Sequence, residues 1–553
     1  MAEMIIARLR RVLSSRAREW AASSGLSLPA SLPVSAAPSH VKADLSLPWP
    51  LAAAKAVKRS PLDLARSLAE ALESLPEIES AEPAPPGFVN LVVKSTALCA
   101  NLKAITLDPK RYGKEENGTT KKTLIEFVSA NPTGPLHMAS GRGATLGDCL
   151  VRIMRRLGRT VASEYYVNDA GGRVELLGAS AKARYEQRHG KDAPVPEKGY
   201  QGEYLNDLAA AAPPECAGWD AQQWGLYAMD SILAQHREDM KAFDAHFDRW
   251  YQESELFASG AVPKTLEYLK GRGMVFEKEN AVWLGTLKAE GSSDDKDRVL
   301  VKSDGKPTYF LPDIAYHKDK YDRGYDRLID IFGADHHGYV PRMKAAIAAL
   351  GKEPDSYRAV VHQLIHLFRG TEAVKMSKRA GTFIPLREII DEVGKDACRF
   401  FFALRTPDSH LNFDLELAKK QSSENPVFYV QYVHARICSI FRKAAETGLH
   451  PPGASLPPPD ADRLAFPEER ALLNKLAWFP EVLLDSERLL SPHPLANYLM
   501  ELAGLFHPFY EKRPVLAAED PEIAKARLLL IAGVRDAIRE GLGLLGVSAP
   551  EQM

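Results

Sequence analysis

Four segments concentrate side chains able to do chemistry. Ser129-Ala-Asn-Pro-Thr-Gly-Pro-Leu-His137 lies between the apolar run at 124–128 and a helical pattern that starts near His137. A strand-to-helix loop sits where open α/β sheets bind ligands, and the helix N-terminus offers free N–H groups to a phosphate. His137 can donate there, although the same residues also suit an ordinary loop. Lys375-Met376-Ser377-Lys378-Arg379 sets three cations and a hydroxyl within five residues and is followed by Ala380-Gly381. A loop of this kind can neutralise a triphosphate as its α-phosphate is displaced. It also suits a solvated turn, yet composition yields Lys-Met-Ser-Lys only on the order of once in 10³ chains of this length. Gly333-Ala-Asp335-His336-His337-Gly338 follows an apolar run. Its glycine admits an adenine or ribose close to the backbone, and Asp335 can accept from a ribose hydroxyl. Adjacent histidines point apart and no third ligand has the right spacing, so no metal site is expected. Tyr309-Phe-Leu-Pro-Asp313 and Glu126 supply two carboxylates and a phenol. Brought together, these would hold a planar cation by paired hydrogen bonds. Nothing in the sequence alone brings them together.

The elements that must position these groups are legible by period. The run at 124–128 reads as a buried strand. Leu146, Leu150, Ile153, Met154 and Leu157 form one helical stripe, and 160–167 reads as a second strand. Strand, helix and strand make a βαβ unit and hence a parallel sheet. Much of residues 180–300 reads as an insertion, after which the sheet resumes at 298–303 and 328–332. The first 115 residues look like a separate unit with an opening helix, a Pro/Ser/Ala-rich stretch at 26–40, a helix at 62–75 entered through Ser60-Pro61, and a strand at 88–93. Residues 108–120 read as a linker. Beyond about 425 only helical patterns appear, at 427–442, 468–490, 494–510 and 523–545. The expected fold is α/β, a Rossmann-type doubly wound parallel sheet with insertions. A small α+β unit precedes it and an all-α helical bundle follows, with boundaries at 1–115, 116–425 and 426–553.

Composition narrows the function classes. The chain of 553 residues is 45 % hydrophobic and 26 % charged, values of an ordinary globular protein. No uninterrupted apolar run is long enough for a membrane span. Lys plus Arg is 71 against 72 Asp plus Glu, so a globally basic nucleic-acid binder is excluded while a local basic face is not. Five scattered cysteines without CxxC spacing argue against a zinc site or a disulfide scaffold, and fit a reducing cytoplasm. The Arg-rich N-terminal helix has two readings, a mitochondrial presequence or an amphipathic helix packed on its own domain. Glu3 and Glu19 favour the second.

Taken together, these segments resemble a class I aminoacyl-tRNA synthetase, and specifically the arginyl-tRNA synthetase family. Residues 126–137 resemble the segment leading into that family's HIGH signature, and Lys375-Met-Ser-Lys-Arg379 matches its KMSKS signature. Residues 332–342 match its later nucleotide-side block, and 396–400 with 425–436 match the start of its helical anticodon-binding domain. The first unit, with Gly87-Phe-Val-Asn90, resembles the extra domain that touches the tRNA elbow. The resemblance implies that Glu126, Tyr309 and Asp313 hold the guanidinium of arginine, that Asn131 binds its α-amino group, and that His337 lines the same pocket. It implies ATP-side positions at His137, Ser140, Gly333, Asp335 and His336, and at Lys375, Met376, Ser377 and Lys378 of the cationic loop. His137, Lys375 and Lys378 are then the catalytic set. The implied partners are L-arginine, ATP carried with Mg²⁺ as co-substrate, and the arginine tRNA. No tightly bound metal and no membrane are implied, and a monomer is expected.

One departure concerns the first signature. Where the family has His-Ile/Val-Gly-His, this chain has His137-Met138-Ala139-Ser140. That motivates a second reading, a non-catalytic tRNA-binding paralogue; the intact Lys375–Arg379 segment and the full set of guanidinium positions argue against it. A third, a small-molecule nucleotidylyltransferase of the same fold type, is disfavoured by the chain length and the C-terminal helices. The leading expectation is an active ligase in which His137 and Lys378 carry more of the transition-state charge than usual.

Overall fold

The computed structural model describes the whole chain except residues 1–3, 24–25, 30, 39, 109–111, 115–120, 287–295, 375–383, 452–455, 457–462 and 519, and the side chains of His336 and His337. At its centre is a five-stranded sheet. Strands β1 (Thr123–Glu126), β2 (Val161–Val167), β3 (Arg249–Gln252), β4 (Arg327–Gly333) and β5 (Tyr357–His362) lie in the order β5-β4-β1-β2-β3. All four pairings are parallel. The order reverses between β1 and β4, and such a switch point opens a crevice at the carboxyl ends of the strands. Helix α1 (Met138–Arg156) returns from β1 to β2, and its close approach to the sheet requires Gly147. A Cβ there would lie 2.1 Å from Cγ of the Phe127 ring.

Two sequence expectations are corrected. Residues 298–303 do not rejoin the main sheet. Arg298–Val301 pairs antiparallel with Ala281–Leu284, which pairs with Val275–Lys278 in a separate small sheet. Nor does the sheet wait until 298 to resume, since β3 forms the edge of the central sheet. Four residues with two adjacent aromatics, Arg249-Trp-Tyr-Gln252, are too few for a strand period to show. Helices α2 (Gly172–Arg188) and α3 (Ala221–Ala242) lead up to β3, and α4 (Glu253–Ala258) follows it directly. Helix α5 (Phe310–Asp322) precedes β4 and crosses the cleft floor.

The N-terminal unit is a four-stranded antiparallel sheet of Ser35–Ala36, Leu45–Leu47, Phe88–Val93 and Ile78–Ala84, in that order, with helices Ile5–Ser23 and Pro61–Glu73 against it. The opening helix buries Ile5, Leu9 and Leu13, and Ser60 caps the second through the Asp63 amide. Five helices fill the C-terminal region. The single pattern at 468–490 is two helices, Pro467–Ala477 and Phe479–Leu489, because Pro480 cannot continue the first and suits the opening turn of the second. The expected linker at 108–120 falls largely outside the described residues. One apolar core joins the N-terminal sheet, the C-terminal helices and the outer face of α1. Polar links support it, with Arg470 on Asp44 and Arg10 on Glu481 at 2.6 Å.

The firmest clamp between regions is Arg399, fully buried on helix Lys395–Ala403. It donates to Leu545 O at 2.7 Å and Phe243 O at 3.0 Å, and pairs with Asp148 of α1. Arg399→Met would strand those acceptors, although Asp148 keeps Arg152 at 2.7 Å. The expected loss is about 3 kcal/mol, read as a lower denaturant midpoint; an unchanged midpoint would contradict the clamp.

Candidate active site

A cleft of about 1130 Å³ opens at the carboxyl ends of β4, β1 and β2. Its rim is the 129–137 loop, and neighbouring elements hold that loop. The Tyr165 hydroxyl accepts from the Ala130 amide at 3.2 Å and lies 3.1 Å from Nδ1 of His236 on α3. His236 Nε2 is 2.8 Å from the Gly134 carbonyl. Burial pushes this imidazole down to about 4, so the ring is neutral, donating from Nε2 and accepting from Tyr165 at Nδ1. Tyr204 donates to the Thr133 carbonyl at 2.5 Å. At the loop's start Val128 and Ser129 take positive φ, 68° and 39°, conformations that side chains rarely adopt and that cluster at functional sites. The turn aims the Ser129 hydroxyl at Glu126 Oε1, 2.8 Å away.

His137 ends the loop in extended backbone as the N-cap of α1 and bridges to Pro385. Its side chain makes no cap hydrogen bond, so the first-turn N–H groups of a 19-residue helix open on the cleft beside Ala139 and Ser140. The segment 375–383, which carries Lys375, Met376, Ser377 and Lys378, lies outside the described residues. The chain on its far side is stitched to the loop, with Leu386 N donating to Leu136 O at 2.8 Å.

Beneath the cleft three carboxylates stand in register on adjacent strands, Asp330 on β4, Glu126 on β1 and Glu164 on β2. Helix α5 answers them from one face. Lys320 Nζ lies 2.6 Å from Glu126 and 3.0 Å from Asp330, and His317 Nε2 is 2.9 Å from Asp330. Tyr316 donates to Glu164 at 2.7 Å, and Arg323 grips Glu164 with two bonds of 2.6 and 2.9 Å. Burial works to raise the Asp330 and Glu164 carboxyls, yet the cations of α5 hold both below the usual range. Burial likewise works against the Lys320 charge, and its carboxylates more than compensate.

Asp313, one turn earlier on α5, differs. It lines the cleft and accepts from the Tyr339 hydroxyl, but no basic side chain among the described residues forms an ion pair with it. Burial pushes its carboxyl up. Glu253, at the start of α4, is pushed up to about 7 by burial, with Tyr166 pulling back and Asp313 adding to the rise. A cleft lined by a carboxyl raised in this way, Asp313, is suited to receive a cation.

Glu126, Asn131, His137, Ser140, Asp313, Gly333 and Asp335 all line this one cleft. Tyr309 does not. It caps the N-terminus of α5, a turn ahead of Asp313, and is 82 % exposed. The phenols at the cleft come instead from Tyr166, Tyr200, Tyr204, Tyr316 and Tyr339. The backbone of His336 and His337 forms a 3₁₀ turn after β4, and their side chains lie outside the described residues. Sequence reasoning missed His317, Lys320, Asp330 and Glu253. The helical spacing 313, 316, 317, 320 and 323 was the available signal for the α5 face. It also missed His362 at the end of β5, a cleft residue whose buried Nδ1 has no hydrogen-bond partner among the described residues. Burial pushes that imidazole down to about 4, so it is neutral. Among the described residues no group of three His, Cys, Asp or Glu is arranged to hold a metal, no helix is long and apolar enough to cross a membrane, and all five cysteines are free.

Comparison with known proteins bears on this geometry. The family described as "Arginyl tRNA synthetase N terminal domain" matches residues 5–93, "tRNA synthetases class I (R), catalytic domain" matches 220–407, and "DALR anticodon binding domain" matches 430–553. The arginine–tRNA ligase of Elusimicrobium minutum is 49 % identical over 522 residues, 94 % of each chain. That of Desulforudis audaxviator is 47 % identical over 509 residues, 90 % of this chain and 89 % of that one. The arginyl-tRNA synthetase of Thermus thermophilus, 24 % identical, shares the fold with a TM-score of 0.79 over 99 % of this chain and 100 % of its own. Near-half identity sustained along almost the full length of both chains is what descent within one family produces, and the protein belongs to the arginyl-tRNA synthetase family.

Proposed function

We propose that the protein ligates L-arginine to its tRNA through an arginyl-adenylate, acting as a monomer in the cytoplasm. The observation that carries this reading is Asp313, a half-buried cleft carboxylate with a raised carboxyl and no ion pair among the described residues. The guanidinium lies between Asp313 and Glu126, the α-amino group meets Asn131, and Glu253, behind the cleft lining, adds charge near Asp313. His337 and Tyr309 complete the arginine side by the family pattern, although Tyr309 faces solvent in this structure. ATP, carried with Mg²⁺ as its substrate complex, lies toward His137, Ser140, Gly333, Asp335 and His336, with its phosphates reached by Lys375 and Lys378. The arginine carboxylate attacks the α-phosphate and pyrophosphate leaves. A hydroxyl of the terminal tRNA ribose then attacks the acyl carbon and AMP leaves. No protein nucleophile is required, and the rate comes from positioning and from charge held where it develops. We also assign 1–115 to the tRNA elbow, 116–425 to catalysis and 426–553 to the anticodon. The five free cysteines support a reducing compartment.

Charging of arginine tRNA with and without Asp313→Asn tests the arginine assignment. Leaving the guanidinium without its carboxylate costs about 3–5 kcal/mol, so the arginine KM rises by roughly 10²–10³ while the ATP KM and tRNA affinity stay close to wild type. Binding a cation lowers the raised Asp313 and Glu253 carboxyls and releases protons. Arginine affinity of the wild type therefore strengthens from pH 6 to 8, and a flat profile with unchanged arginine kinetics in the variant would overturn the assignment.

The altered signature yields a second expectation. Lys378→Ala lowers adenylate formation at least ~10²-fold, whereas Ser140→Ala costs far less. ATP–pyrophosphate exchange measured with tRNA present distinguishes them, and a Lys378 variant at full rate would remove the loop from the mechanism.

For the tRNA, Arg442 and Lys443 are exposed on helix Pro426–Glu446. Replacing both with Ala weakens binding and reduces the slope of log affinity against log salt by about 1 to 2. An unchanged slope would take this face out of the interface.

A further inference from the structure

Lys320 is fully buried and does not reach the cleft wall, while both of its carboxylate partners, Glu126 and Asp330, line it. Its ammonium lies over the Tyr316 ring, 4.3 Å from the centroid, and contacts Glu126 Oε2 and Asp330 Oδ1. The remaining oxygen of each carboxylate is also held. Ser129 donates to Glu126 Oε1, and His317 Nε2 meets Asp330 Oδ2. Each carboxylate oxygen offers about two lone pairs. On Glu126 one per oxygen is taken by the protein, which leaves one per oxygen for an incoming two-pronged guanidinium edge.

We propose that Lys320 is the positioning residue of the arginine pocket, holding Glu126 from beneath the cleft floor in the orientation that presents its free lone pairs to the substrate guanidinium. This rests on the assignment of Glu126 and Asp313 to the guanidinium. Burying an ammonium is costly, so a lysine that only filled space here would be a poor choice beside methionine. The groups facing this cation and its partners are Glu126 from β1, Glu164 from β2, Asp330 from β4, Tyr357 from β5 and Tyr316, His317 and Arg323 from α5. Asp313 and Tyr339 lie toward the cleft. Without Lys320, Glu126 and Asp330 repel each other and keep a proton to higher pH. A protonated Glu126 attracts the guanidinium weakly, so the defect is greatest at low pH and shrinks as the carboxyl ionises.

The test measures the KM for L-arginine, the KM for ATP and kcat in tRNA charging from pH 6 to 8. The proteins are wild type, Lys320→Met, Lys320→Gln and Asp313→Asn. Lys320→Met is expected to raise the arginine KM at least about 30-fold at pH 6.5 with the ATP KM within about twofold, and its ratio to wild type falls at least about fivefold by pH 8. Lys320→Gln keeps a donor for Glu126, so its rise is smaller with the same pH trend, and it decides the matter should the methionine variant not fold. An arginine KM within about threefold of wild type at every pH, or a rise shared by arginine and ATP with no pH trend, would overturn the positioning role. An arginine KM unmoved by Asp313→Asn would instead overturn the pocket assignment, and this proposal with it.

Discussion

Three carboxylates in register on neighbouring strands form the constraint around which the catalytic unit is organised. Asp330, Glu126 and Glu164 are each buried, and adjacent strands lie only about 4.8 Å apart. Such a row is repulsive, increasingly so away from water, unless cations are supplied at matching spacing. Helix α5 and its C-cap supply Lys320 and Arg323 along one helical face, while Tyr316 and His317 add hydrogen bonds to Glu164 and Asp330. The pairing leaves α5 little freedom, because sliding it by one residue would set every cation against the wrong partner. Asp313 lies on the same stripe one turn earlier, so the register that neutralises the row also delivers an unneutralised carboxylate to the cleft.

Phosphate-side geometry depends on a second set of ties, reaching outward from α1. Arg142, fully buried near its start, donates to the carbonyls of Gln363, Thr406 and Ser409 at 2.8–2.9 Å. Burial pushes its guanidinium down to about 10, still charged near neutrality. Arg399 and Asp148 fasten the middle of the helix to the end of α3 and to the C-terminal tail. The loop before α1 is held by Tyr165, Tyr204 and His236, two of which come from the chain between β2 and β3. That region therefore forms one wall of the cleft, beyond spacing two strands apart. Because the N-terminal sheet and the C-terminal helices share one apolar core with the outer face of α1, a load on either end has a packed route to the loop.

What could be read from the sequence was local. A strand, a turn-rich loop and an apolar stripe mark β1, the signature loop and α1 without reference to the rest of the chain. So do caps such as Ser60 and the helical periods after 425. The unread parts depend on distant partners. Tyr357–His362 and Arg249–Gln252 are strands because a parallel neighbour pairs with them, and the period of a short strand does not announce that. Arg298–Val301 has strand-like residues, but its partner proved to be a local hairpin. Lys320 and His317 look like an exposed helix face until the acids on β1 and β4 are set beneath them. Tyr309 stands at the N-cap of α5 with its ring exposed, so nearness in sequence to Asp313 does not by itself carry a side chain into the cleft. The catalytic family match begins at 220, yet β1 and the loop at 129–137 belong to the same sheet and cleft.

The altered first signature is best understood through what α1 supplies apart from its side chains. Ser140 is 8 % exposed and lines the cleft. The next residue is pinned, because a Cβ on Gly141 would lie 2.7 Å from Leu386 and 3.2 Å from Phe402. The packing at Gly141 keeps the first turn of α1 from shifting to suit a different residue at 140. The first-turn amides are already aimed at the cleft, and their dipole does not depend on which residue stands at 140. His137 at the N-cap and the neutral His362, whose Nε2 lies close to Gly143 of α1, add two imidazoles at this end of the cleft. On the proposed function a phosphate bound there meets several donors, and exchanging one side-chain donor for a hydroxyl removes only one of them. The electrostatic demand falls on the geometry of the helix end, which Gly147 against Phe127, Arg142 and Arg399 hold in place.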